Sequence, residues 1–197
     1  MISETENKIL QAAKKVFISK GYAATKTRDI AEEADINIAS LHYYYRSKDK
    51  LFQIIAEDAI KSFNEKLDCV FCKELTLEEK VNKFVSESID FFMLNPFIPL
   101  FIMNEMNQNI EMLDNYLNCS NNMVELSNQL NKLTEEGKIR KVDPNQFMIN
   151  LLSMTIFPFV GFPMICKQFN IDSAEFNNLL IQRKKLIPEL VLNDLRI

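Results

Sequence analysis

Apolar residues recur at helical spacing along nearly the whole chain. Ile9, Ala13, Val16 and Phe17 fall at i, i+4, i+7 and i+8 behind Ser3-Glu4-Thr5-Glu6. That run is a capping box, in which a side-chain oxygen and a carboxylate satisfy the first free amides of a helix. Gly21 closes the helix, since glycine accepts the left-handed backbone of a helix end. Two short helices are predicted next, over 27–34 and 38–45, with Asp35, Ile36 and Asn37 between them and Asn37 as N-cap of the second. Ser47 caps a long helix over 48–72 with Leu51, Phe52, Ile55, Ala59, Phe63 and Leu67 on its apolar side. At about 1.5 Å per residue it is a rod of roughly 35–40 Å joining the first part of the chain to the rest.

Thr76-Leu77-Glu78-Glu79 repeats the capping box and opens a helix to 94. Asn95-Pro96 is predicted to start another, as an N-cap followed by a proline whose missing amide costs nothing at the first helical position; it ends near 107–109. A further helix runs to about 136 and stops at Gly137. Asp143-Pro144 begins a very apolar helix to about 169, which Pro158 and Pro163 should kink or interrupt. Asp172 or Ser173 caps the last, to about 195. The pattern predicts an all-α chain of about nine helices, with no strand, internal repeat or flexible linker.

With 47% hydrophobic and 25% charged residues over 197, the composition excludes intrinsic disorder, and three glycines exclude a fibrous protein. No apolar run reaches the roughly 20 residues that span a bilayer. The first residues, MISETENKIL, carry acids where a secretory signal has Lys or Arg, so a cytoplasmic protein with no membrane partner is expected. The net charge of −4 argues against a nucleic-acid partner. Its distribution changes that picture: residues 1–50 hold nine Lys/Arg against seven acids, and the remainder is net negative. A cationic head on an anionic body is the weak signal left.

Two short helices joined by a tight turn behind a longer supporting helix are the layout of a helix-turn-helix, here at about 27–46. Ile30, Ala31, Ala34, Ile36, Leu41 and Tyr45 are expected to face inward. Asn37, Ile38, Ala39, Ser40, His42 and Tyr43 face outward, mostly small or hydrogen-bonding side chains suited to base edges. Thr27, Tyr44, Lys48 and the helix N-termini are placed to hold phosphates, which fix register without reading sequence.

Three segments, Gly21-Tyr22-Ala23-Ala24-Thr25, Arg28-Asp29-Ile30-Ala31-Glu32-Glu33-Ala34 and Leu41-His42-Tyr43-Tyr44-Tyr45-Arg46-Ser47-Lys48-Asp49-Lys50-Leu51, resemble the N-terminal domain of TetR/AcrR-type transcriptional regulators over about residues 4–64. The resemblance implies a DNA-binding head at 1–47, a ligand-binding and dimerisation body at 48–197, and a homodimer on a palindromic double-stranded operator. Such a protein is usually a repressor with a small-molecule inducer, no enzyme, and needs no cofactor. By position it assigns phosphate contacts to Thr27, Tyr44 and Lys48, with Arg28 beside them, and the groove-facing set to 37–43. Asp35 stands where the family has its turn glycine, and aspartate tolerates the left-handed region better than most residues. Asn37 replaces the usual serine cap. His42 replaces a tyrosine, and is expected to donate to phosphate or guanine.

In the body, every methionine except Met1 lies between Met93 and Met164, interleaved with phenylalanines. Such side chains make an adaptable apolar lining, or simply a helical core. A pocket between 84 and 164 for a largely hydrophobic ligand is expected to use Phe91, Phe101, Met123, Met154 and Phe157, with Asn104, Glu105 and Gln108 as polar handles. The stripe Phe147, Leu151, Met154 and the stripe Phe176, Leu180, Ile187, Val191, with Arg183 among them, suggest a four-helix dimer seam, the alternative being packing within one chain. Cys69-Val-Phe-Cys72 lacks the further ligands a metal site needs and reads as buried, inert thiols; a thiol-redox regulator is the alternative. One histidine and no nucleophile or nucleotide motif leave no catalytic residue to name. A helical ligand-binding or interaction protein that does not use DNA is the remaining alternative.

Overall fold

The computed structural model describes residues 3–71, 75–108 and 119–197, and their side chains except at 105–108 and 119–123. Among them the chain is all-α, with ten helices and no strand. Helix α1, Glu4–Lys20, starts in the expected box: Ser3 N–H donates to Glu6 Oε2 at 2.7 Å, and Glu6 N–H to Ser3 Oγ at 3.2 Å. Helices α2, Thr27–Glu33, and α3, Ile38–Tyr45, follow, then the rod α4, Lys48–Val70. The body continues with α5, Leu77–Leu94; α6, Ile98–Gln108; α7, Cys119–Glu135; α8, Pro144–Val160; α9, Phe162–Phe169; and α10, Ser173–Asn193.

Core formation follows the apolar stripes. All six apolar residues expected on α4 are buried, and Phe52 among them joins two groups of rings. It meets Phe17 of α1 edge-on at 5.0 Å between centroids, and packs on Phe97 at 5.3 Å and Phe101 at 5.4 Å. Such aromatic pairs add specificity to the area they bury. The rod is therefore held at one point by the head and by the start of α6.

Several expectations are corrected. Asn95 ends α5 rather than starting α6: its backbone N–H and its Nδ2 each donate to the Phe91 carbonyl at 2.9 Å. Pro96 lies in a turn, and α6 starts at Ile98 after a bend of 95°. The apolar helix of 144–169 is interrupted within 158–163, as its sequence suggested, and is two helices. It continues through Pro158, breaks at Gly161 and bends by 76° into α9. At Gly161 the Phe157 ring comes so close that an added Cβ would lie 3.2 Å from its Cζ.

The two stripes read as a dimer seam are internal. Phe147, Leu151, Phe176, Leu180, Ile187 and Val191 are all buried within the single chain, in the core where α10 packs on α5 and α8. Met154 and Arg183 are half-buried, and Arg183 Nη2 donates to the Met154 carbonyl at 2.7 Å. Periodicity finds the stripe that is covered but not the chain that covers it. Cys69 is exposed, not buried, and Cys72 lies outside the described residues. No helix among those described is long and apolar enough to cross a membrane.

Candidate nucleic-acid interface

The head is assembled from local signals. Lys26 N–H donates to Asp29 Oδ2 at 2.8 Å at the start of α2, and this bond, helped by Lys20 at 3.0 Å, holds the Asp29 carboxyl below the usual carboxylate range. At the other end Asp35 N–H donates to the Glu32 carbonyl at 3.1 Å and Ile36 N–H to the Ala31 carbonyl at 3.0 Å. This paired closure of a helix end requires a left-handed residue, and Asp35 has φ 49°. The turn thus forms without the glycine. Asn37 then caps α3, its Oδ1 accepting the Ser40 N–H at 2.7 Å.

Helix α3 is two-faced. Leu41 and Tyr45 point into the core, and Tyr45 Oη donates to the Glu6 carbonyl at 3.2 Å. Asn37, Ile38, Ala39, His42 and Tyr43 are exposed, Tyr43 by 81%; Ser40 and Tyr44 are half-buried. The Tyr43 and Tyr44 rings meet edge-on at 5.2 Å. His42 Nδ1 lies 3.1 Å from the Arg46 carbonyl oxygen. Thr27 is half-buried at the first turn of α2, and Arg28 beside it is exposed.

Lys48, expected as a phosphate contact, is also engaged within the chain. Its Nζ donates to the carbonyls of Tyr22 at 2.9 Å and Thr25 at 3.1 Å and sits 4.2 Å from the centre of the Tyr22 ring. It staples the chain between α1 and α2 to the rod, and one of its three protons is left over. The Tyr22 hydroxyl donates to the Asp49 carboxylate, and burial together with that bond pushes the phenol up to about 12. Residue spacing gave no sign of this cluster, because it joins positions 23–27 apart. Glu33 of α2 and Asp35 of the following turn are matched by α1 lysines, Lys15 at 2.6 Å and Lys8 at 3.9 Å, while Lys26, Arg28 and Arg46 stay exposed.

The residues expected to form a ligand pocket do not converge in the same way. Phe101 packs on Phe52, and half-buried Phe91 stacks on Phe63 at 4.3 Å. Met154 is half-buried, whereas Asn104 is exposed and Phe157 is 53% exposed on the outer surface. Glu105, Gln108 and Met123 lie outside the described side chains. A cleft of about 570 Å³ opens elsewhere, between the start of α5 and the ends of α7 and α10, lined by Leu77, Leu133, Ile139, Pro188, Leu192 and charged neighbours.

A helix-turn-helix head carried on a helical body by a single rod defines a class, and known proteins agree with it. Residues 9–55 match the family described as bacterial regulatory proteins, tetR family. Over 64 residues the chain is 31% identical to YttP of Bacillus subtilis, named a probable HTH-type transcriptional regulator, covering 32% of this chain and 31% of that protein. Over 107 residues it is 27% identical to the HTH-type transcriptional repressor NicS of Pseudomonas putida, covering 54% and 50%. The matched stretches thus span no more than half of these relatives' length. Solved structures extend the likeness of fold to the body. A TetR transcription regulator from Haloarcula marismortui superposes with a TM-score of 0.66 at 20% identity, over 98% of this chain and 99% of that one. The TetR-family regulator PfmR of Thermus thermophilus gives 0.65 at 21%, over 92% and 97%. The sequence match is thus to the tetR-family model over residues 9–55, and the likeness beyond it is one of fold.

Proposed function

We propose that this chain is a cytoplasmic DNA-binding transcriptional regulator. In this reading a homodimer reads a palindromic operator with α3 of each subunit, represses, and is released by a small, largely hydrophobic ligand. The observation that carries it is the two-faced α3, anchored by Leu41 and Tyr45 and presenting Ala39, Ser40, His42 and Tyr43 away from the core. A short helix of this kind fits a major groove. The head is 1–47 and the body 48–197.

Ile38, Ala39, Ser40, His42 and Tyr43 meet base edges, while Thr27, Arg28 and Tyr44 hold phosphates. Asn37 has its oxygen occupied by the cap, which leaves its amide N–H groups for DNA. Lys48 contributes its remaining proton from behind the surface. For the dimer, the internal stripes give way to exposed apolar residues on the same helices: Ile149 and Phe157 on α8, and Leu179, Leu186 and Leu190 on α10. The α10 set recurs at i, i+7 and i+11, one continuous stripe beside the buried face. Phe52 offers the route from ligand to DNA, since a shift of Phe97 or Phe101 bears on the ring that also packs against Phe17. A ligand acts only by its differential affinity for the two arrangements.

The test is selection of duplexes from a randomised pool by the full chain, followed by titration of the selected duplex. Binding is expected to weaken steeply with salt, as counterion release demands. Arg28→Ala and Tyr44→Phe are expected to weaken every duplex to a similar degree, and Ser40→Ala to change the preferred sequence. Enrichment of no sequence, or affinity indifferent to salt, would overturn the proposal.

A further inference from the structure

A neutral imidazole has one N–H and one nitrogen with a lone pair, and a backbone carbonyl oxygen can only accept. His42 Nδ1 faces the Arg46 carbonyl at 3.1 Å, so in the neutral ring Nδ1 carries the proton and Nε2 is left as the acceptor. Two further features hold this arrangement. The Arg46 N–H donates to the His42 carbonyl at 3.0 Å, so backbone and side chain join the same two residues. Arg46 also ends α3 with φ 50° and ψ −47°, turning the chain off the helix just where its carbonyl receives the ring. The ring is exposed, and at about 100° per residue it stands at the edge of the outward arc, about 60° from exposed Ala39 on one side and from buried Tyr45 on the other.

We propose that His42 is a specificity-determining residue that reads the operator as a hydrogen-bond acceptor through Nε2. This rests on α3 entering the major groove, as in the preceding section. The donors a major groove offers are the N6 amino group of adenine and the N4 amino group of cytosine. Neutral His42 therefore selects adenine or cytosine on the contacted strand. It disfavours guanine and thymine there, because their O6 and O4 acceptors would confront its lone pair. For the neutral ring this reverses the donor role expected from the sequence, and Arg46 is the positioning residue that sets it.

The experiment repeats the duplex selection at pH 8 with the full-length protein and with His42→Phe and His42→Gln. The parent is expected to enrich adenine or cytosine at one position of each half-site, His42→Phe to lose that preference, and His42→Gln, whose amide oxygen also accepts, to restore it. Replacing the selected base by its analogue without the exocyclic amino group is expected to weaken the parent about 3- to 10-fold, the worth of one hydrogen bond, and His42→Phe less than about 2-fold. Guanine or thymine at the position that His42→Phe relaxes, an unchanged preference in His42→Phe, or equal losses with the analogue would overturn the acceptor role while leaving DNA reading intact. Failure of the parent to enrich any sequence would overturn both.

Discussion

Tyr22 and Lys48 occupy opposite sides of one small cluster, and each is a stability element that any DNA contact comes on top of. The Tyr22 phenol is pushed up to about 12 because burial and its bond to the Asp49 carboxylate both favour the protonated form. Its stabilisation is whole below the unfolded tyrosine's value of about 10 and is lost as pH rises from there through about 12. Stability measured by urea unfolding is expected to fall across that window, and Tyr22→Phe to make the fall shallower. Lys48→Met keeps the aliphatic stem but leaves the Tyr22 and Thr25 carbonyls without the ammonium. A loss of about 1–3 kcal/mol is expected, read as a lower urea midpoint in the absence of DNA. An unchanged midpoint would show that the cage contributes nothing to folding.

At the level of the element, the turn between α2 and α3 is decided by backbone conformation. Asp35 fills a position with φ 49° that a glycine takes without steric cost, and its ion pair with Lys8, at 3.9 Å and well exposed, is worth little. Asp35→Gly is therefore expected to stabilise the head by up to about 1 kcal/mol, the lower end of the left-handed penalty for an L-residue, and Asp35→Val to destabilise it, a β-branched residue being a poor fit to that region. Thermal unfolding of the two variants checks the order. The caps are simpler: Ser3, Asn37, Ser47, Thr76, Asp143 and Asp172 each accept an amide from the first turn of their helix, as their sequence positions suggested. Asn95 failed as a cap because its side chain turned back to the Phe91 carbonyl, which also accepts its backbone N–H at the end of α5.

Across the whole molecule, the exposed stripe of Leu179, Leu186 and Leu190 is the surface on which the dimer proposal stands. Leu186→Glu with Leu190→Glu is expected to give a folded monomer by sedimentation equilibrium, with helical circular dichroism unchanged, whereas Leu180→Glu, in the buried stripe, unfolds the body. If the double variant still sediments as the parent does, the seam lies elsewhere. Dimerisation matters to DNA affinity because two linked heads raise the effective concentration of the second once the first is bound. Selected half-sites are then expected to lose cooperative binding together with the dimer.

The helices, their caps and the head were legible in the sequence because they depend on neighbours within a few residues: Ser3 with Glu6, Asn37 with Ser40, Asp35 at one strained turn. The class of protein followed from these, since an HTH is a short-range object. Contacts that join distant positions were not legible. Whether Phe147 and Leu180 meet their own chain or a second copy, whether Lys48 Nζ reaches phosphate or the Tyr22 carbonyl, and which nitrogen of His42 keeps its proton all depend on what packing brings near. An amphipathic pattern states that a face must be covered, and only the folded chain decides by what.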